Sequence, residues 1–187
     1  LTNGNILIAY HYAGFTKGNF VIYDSVGNLV KSETTFNAAS TNYISATTLN
    51  NGNILISYQD FGSSSYGNFV IYDSAGNPVK SETTFNAGTT YDTSATTLTN
   101  GNILIAYSDG SSSFYGNFVI YDSSGNEVVS ETTFNADNTS FISTATLTNG
   151  NTLISYTDVD DSEGGFVIYG SSGASFANMV GIGTTAP

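Results

Sequence analysis

Residues 94–107 read Ser-Ala-Thr-Thr-Leu-Thr-Asn-Gly-Asn-Ile-Leu-Ile-Ala-Tyr, and residues 116–126 read Gly-Asn-Phe-Val-Ile-Tyr-Asp-Ser-Ser-Gly-Asn. Both phrases recur along the chain. Asn-Gly-Asn begins at Asn3, Asn51, Asn100 and Asn149, in steps of 48, 49 and 49 residues. Each copy precedes an apolar run, at 6–10, 54–58, 103–107 and 152–156. A second apolar run follows at 20–23, 69–72, 118–121 and 166–169. A period of this length marks one supersecondary unit copied, and so small a unit cannot bury its own apolar face alone. Stacking of the copies must supply the core.

Each unit reads as four short strands, best seen in the second copy. Residues 45–49 are small and β-branched, and Asn50-Asn51-Gly52-Asn53 is a turn because Asn and Gly tolerate positive φ. Residues 54–58 and 68–73 are apolar on both faces, as inner strands are, with a Gly- and Ser-rich loop between them at 59–67. Residues 73–77 form a hairpin turn, and 79–85 alternate apolar with charged or hydroxyl residues, as an exposed edge does. No segment is patterned as a useful amphipathic helix.

Small inner strand, two apolar strands and a charged outer strand describe a blade. The expected fold is therefore all-β: a four-bladed β-propeller of ~48–49-residue, four-stranded blades. With strands lettered A to D from the axis outward, the chain starts at strand B of its first blade. The propeller is expected over 1–180. Residues 174–180 are the candidate fourth D strand. Residues 181–187 are either the closing A strand of blade one or a junction to a downstream fibre segment. The rival arrangement is a protomer whose missing strand comes from another chain.

In such a blade the A–B and C–D turns share one face, and the B–C and D–A loops share the other. The turns barely vary between copies, whereas the loops at 11–18, 59–67, 108–116 and 157–164 differ. Variable loops on a rigid scaffold are where binding residues usually sit. They carry Tyr12, Phe15, Phe61, Tyr66, Phe114 and Tyr115, and the D–A loops centre on Tyr43, Tyr91 and Phe141. Rings beside short polar groups suit sugars, whose C–H faces stack on aromatics while hydroxyls take hydrogen bonds. Against this stands packing between blades, which buries Tyr and Phe just as well.

Asp60, Asp109 and Asp158 align just after strand B, either as a ring of carboxylates for a cation or as caps on their own loops. Asp158, Asp160, Asp161 and Glu163 form the densest set of hard oxygen ligands, the one place where Ca²⁺ is a candidate. Its spacing departs from the EF-hand loop, and a solvated acidic loop is the alternative. No other cofactor is expected.

Three Lys against fifteen Asp and Glu, and no Arg, give a net charge of −12. That surface repels phosphate backbones and anionic lipid, so neither nucleic acid nor a membrane surface is an expected partner. No apolar stretch approaches the ~20 residues of a spanning helix. Cysteine is absent, which rules out disulfides and thiolate metal sites. The opening at Leu1 suggests a mature or excised piece. Catalysis finds little material: one histidine, His11, no Gly-x-Ser-x-Gly elbow and no phosphate-cradling loop. A sialidase-like carboxylate clamp would need arginines.

The units at 94–107 and 116–126 resemble propeller-type repeats of large bacterial surface proteins and phage tail fibres, over about residues 1–170. Residues 180–187, Val-Gly-Ile-Gly-Thr-Thr-Ala-Pro, resemble the junction before C-terminal fibre segments of such proteins. The resemblance implies attachment. The expected function is a non-enzymatic extracellular attachment module on a virion or cell surface, binding a glycan or other receptor through the B–C and D–A loop face. A structural spacer or filament subunit assembled by strand exchange is the alternative, and a glycan-degrading enzyme the third reading.

Overall fold

The structure, a computed structural model, describes residues 1–12, 14 and 16–170. Four antiparallel units follow one another. The first holds β1 (Ile6–His11), β2 (Gly18–Tyr23) and β3 (Leu29–Asn37). The second is complete: β4 (Thr41–Thr48), β5 (Ile54–Asp60), β6 (Tyr66–Tyr72) and β7 (Pro78–Asn86), in that spatial order. The third holds β8 (Thr90–Thr97), β9 (Ile103–Asp109), β10 (Tyr115–Tyr121) and the first part of β11 (Glu127–Thr146). Residues of β11 from Thr139 onward pair instead with β12 (Thr152–Asp158), which pairs with β13 (Glu163–Tyr169). One 20-residue strand is thus the outer strand of the third unit and the inner strand of the fourth.

The repeated turns owe their shape to side chains as much as to glycine. In each Asn-Gly-Asn the first Asn Oδ1 accepts the amide two residues on, at 3.0 Å in all four copies. The glycines Gly4, Gly52, Gly101 and Gly150 lie at φ of 84° to 87°, where a Cβ is strained. At the second turn, Asp24, Asp73 and Asp122 each accept two backbone amides and one Asn side-chain amide, at 2.8–3.0 Å. These bonds hold all three carboxyls below the usual carboxylate range.

The core lies between units. One cluster joins Phe20, Ile22 and Phe36 to Ile54, Ile56, Tyr58, Val70 and Tyr72 of the next unit. The same contact recurs between the second and third units, and between the third and fourth. Two ring pairs repeat at each junction. Phe20–Tyr72, Phe69–Tyr121 and Phe118–Tyr169 have centroids 4.7, 4.7 and 5.3 Å apart. Phe36–Tyr58, Phe85–Tyr107 and Phe134–Tyr156 follow at 5.0, 5.1 and 5.3 Å. Such pairs contribute about 0.5–1.5 kcal/mol beyond their buried area.

The inner strands are small because they stack on one another. Ala95 N donates to Ser45 Oγ and Thr144 N to Ser94 Oγ, both at 3.0 Å. Thr97 Oγ1 donates to the Thr48 carbonyl at 2.8 Å, and Thr146 Oγ1 to that of Thr97 at 2.7 Å. A larger side chain would push these strands apart.

Two details differ from the sequence reading. The outer strand does not alternate cleanly: Phe69 faces Thr83 and Ile71 faces Lys80, so Val70 of β6 opposes both Ser81 and Glu82 of β7 at a bulge. Phe36, Phe85 and Phe134, at the ends of the outer strands, are buried under the next unit's tyrosines rather than left on an edge. The D–A connection also hides a lock. Asn37, Asn86 and Asn135 are buried, and each donates Nδ2 to a hydroxyl four residues on, Thr41, Thr90 and Thr139, at 3.0 Å.

The candidate strand at 174–180 and the closing strand or junction at 181–187 lie outside the described residues. Among the described residues no strand pairs with the inner edge of β1, on the side away from β2. The chain is an all-β protein of stacked antiparallel sheets. Among the described residues no helix is long and apolar enough to cross a membrane.

Candidate ligand-binding face

The B–C loops and D–A turns do lie together, tied by backbone bonds. The turn before β8 is held from both sides: Thr90 N donates to the Ser65 carbonyl at 2.9 Å, and Gly110 N to the Thr89 carbonyl at 2.7 Å. Phe61 N to Ser40 O, Thr139 N to Phe114 O and Val159 N to Asn138 O repeat the pattern, at 2.8–2.9 Å. The face is a rigid rim.

The rim carries an unusual set of backbones. Tyr43, Asp92 and Phe141 occupy equivalent places, 49 residues apart, at φ of 46°, 49° and 52°. Each sits in a bulge of its inner strand, between Asn42 and Ser45, Tyr91 and Ser94, and Ser140 and Ser143. A bulge re-aims the side chain it carries. Phe114 is also left-handed, at 63°. Bulky residues there are strained by about 1–3 kcal/mol, and such strain concentrates at functional sites.

Three rings meet on this rim. Tyr91 packs edge-on to Tyr43 at 5.7 Å and tilts against Phe114 at 5.5 Å. Its ring covers Gly110, where a Cβ would lie 2.6 Å from Cε2. Tyr43 and Phe114 remain 39% and 41% exposed and Phe141 80%, so the cluster is not consumed by packing. The Asp92 carboxylate accepts the Phe141 amide at 2.9 Å. Burial, then the Asp92 charge, pushes the Tyr43 hydroxyl above its ordinary pKa. Gln59, paired with Asn42 beside the Tyr43 bulge, is buried with no hydrogen-bond partner for either amide atom.

The other sequence candidates separate. Tyr12 belongs to the first unit, where it and Tyr10 both donate to Glu33 Oε2, Tyr10 at 2.5 Å. Those bonds, Tyr10 first, hold the Glu33 carboxyl low. Phe61 is 49% exposed on a single 3-10 turn, Phe61–Ser63, one unit away from Gly110 in the repeat. Tyr66 and Tyr115 are half-buried at the starts of β6 and β10, opposite Asp60 and Asp109. Phe15 lies outside the described residues. Asp92 and Gln59 escaped the sequence reading, which centred its D–A loop on Tyr91. Aligning the copies by their 49-residue step would have paired Asp92 with Tyr43 and Phe141.

The carboxylates do not form a ring. Asp60 Oδ1 accepts Gly62 N at 2.8 Å and Asp109 Oδ1 accepts Ser111 N at 2.9 Å, each capping its own loop. Asp158 accepts Asn135 Nδ2 at 3.2 Å, and Asp160 accepts Asn138 N at 3.2 Å. Among the described residues no three His, Cys, Asp or Glu side chains could hold a metal ion. Within the set Asp158, Asp160, Asp161 and Glu163, the carboxylates of Asp158 and Asp160 accept backbone and amide donors.

On the opposite face a cavity of about 190 Å³ opens between the third and fourth units, lined by Leu98, Ile120, Val129 and Tyr169 among others.

No family model matches this chain, and no curated relative does. Solved structures do. A fucose-specific lectin from Aleuria aurantia is 16% identical with a TM-score of 0.61, over 96% of this chain and 61% of that one. A polysaccharide lyase, an ulvan lyase, is 10% identical with a TM-score of 0.64, over 94% of this chain and 51% of that one. The NanB sialidase from Streptococcus pneumoniae is 12% identical with a TM-score of 0.59, over 82% of this chain and 26% of that one. The likeness is one of fold, and the chain spans about a quarter to three fifths of these structures' lengths.

Proposed function

We propose that this chain is a glycan-binding attachment module, with its four units acting as propeller blades and its ligand seated on the B–C and D–A rim. The observation that carries the reading is the exposed Tyr43–Tyr91–Phe114 cluster, with strained bulge residues beside it. Tyr43 and Phe114 offer hydrophobic faces for sugar C–H groups, and the Asp92 carboxylate offers a polar contact. Folds shared with a lectin and two glycan-processing proteins support a carbohydrate ligand. An extracellular setting, where such glycans are displayed, belongs to the same proposal.

Binding is preferred to turnover. The acids of the rim cap loops or hold amides, and Glu33, Glu82 and Glu131 on the outer strands accept tyrosine hydroxyls at 2.5–2.6 Å. A glycan array with the purified chain tests the reading. Phe114→Ala, at an exposed position, is expected to weaken any hit about 10-fold or more. Loss of signal with Thr99→Ala on the opposite face, but not with Phe114→Ala, would move the site. Release of cleaved sugar from a bound polysaccharide would make the protein an enzyme.

A further inference from the structure

Each unit after the first is covered on one side by the unit before it. The first has the same surface, and among the described residues nothing lies on it. Ile54 and Ile56 are 1% and 0% exposed, and Ile103 and Ile105 0%, whereas Ile6 and Ile8 are 52% and 48% exposed. A Cβ on Gly76 or Gly125 would touch the preceding unit within 3.1–3.4 Å, yet on Gly27 it meets nothing within 4 Å. Tyr10, Val21 and Tyr23 are half-buried where Tyr58, Val70 and Tyr72 are buried. A groove of about 180 Å³, lined by Ile6, Leu7, Ala46 and Thr47 among others, runs where an inner strand beside β1 would lie.

The other end of the stack has the matching half. Phe69, Ile71 and Leu55 are buried under the next unit, but their equivalents Phe166, Ile168 and Leu153 are half-exposed. Phe166 stands where Phe20, Phe69 and Phe118 stand, and each of those meets a tyrosine of the following unit at the place Tyr23 occupies in the first.

We propose that these two faces are the halves of one interface, and that a second copy of this chain docks head to tail, the fourth unit of each on the first unit of the other. A protein whose own contact already occurs three times within it carries the complement of each open face. Head-to-tail contacts close into a ring when the rotation allows. This chain covers 51% of one propeller-like structure over 94% of its own length, so two copies match the size of such a ring. Repulsion between acidic copies is screened by salt, so association strengthens as salt rises.

Sedimentation of the full chain over a range of concentrations tests this. The expected result is a monomer–dimer equilibrium, shifted toward dimer by salt. Ile8→Asp, at an exposed site that leaves folding intact by circular dichroism, weakens self-association at least ~10-fold. Phe166→Asp does the same from the other side. Mixing the two variants restores a dimer, because each retains the half the other lost. A monomer at every concentration, a dimer indifferent to Ile8→Asp, or open-ended polymer would overturn the proposal. So would a monomer that dimerises only after removal of residues 181–187, which would assign the face to the chain's own tail. Glycan binding is read separately in each variant, so failure here leaves the rim untouched.

Discussion

At the residue scale, glycines and carboxylates separate backbone demands from packing. Gly27 and Gly76 both have positive φ, 89° and 76°, so alanine strains either. Only at Gly76 would the added Cβ also meet Lys31, Phe20 and Ile22, at 3.1–3.3 Å. Gly76→Ala should therefore cost about 1 kcal/mol more than Gly27→Ala by chemical denaturation. Titration gives a second expectation. The carboxyls of Asp24, Asp73, Asp122 and Glu33 are held below their ordinary values, so their stabilisation is present above about pH 4 and lost as pH falls through the folded values. Burial, then bonds to Glu82 and Glu131, raises the Tyr58 and Tyr107 hydroxyls, whose stabilisation is full below about pH 10 and lost above it. Melting temperature should plateau between about pH 5 and 9 and fall on both sides; Tyr58→Phe should blunt the alkaline limb.

At the element scale, the D–A lock is the contact on which each unit's connection to the next depends. Asn86→Ala removes the bond to Thr90 and leaves Gly88 N without its acceptor, in a buried place. A loss of about 1–3 kcal/mol is expected, with hydrogen exchange quickening first in β7 and β8. Strand order and turn chemistry were legible in sequence because Asn-Gly-Asn and Asp-Ser-x-Gly-Asn carry their hydrogen bonds locally. The lock was not, since Asn37 and Thr41 look like any loop residues until the fold buries them. The bulges were hidden for a related reason: an extra residue at Tyr43, Asp92 or Phe141 leaves composition unchanged and shifts only register. That is why the variable loops could be picked out in the sequence while the convergence of Tyr43, Tyr91 and Phe114 did not show.

At the scale of the whole molecule, stability is carried by three near-identical junctions rather than by one central core. Units coupled only to neighbours unfold outward from weak ends. The first unit, with Ile6 and Ile8 exposed, should exchange before the second, and Ile56→Ala should cost about 2–4 kcal/mol where Ile8→Ala costs under 1. The same rigidity holds the rim in place for a ligand. An NMR titration of the labelled chain with a glycan selected on an array tests this account most directly. It predicts shifts confined to the starts of β4 and β8 and to residues 110–115, and their loss in Phe114→Ala. Shifts gathered instead on the Asn-Gly-Asn turns around Asn100 and Asn149 would contradict it.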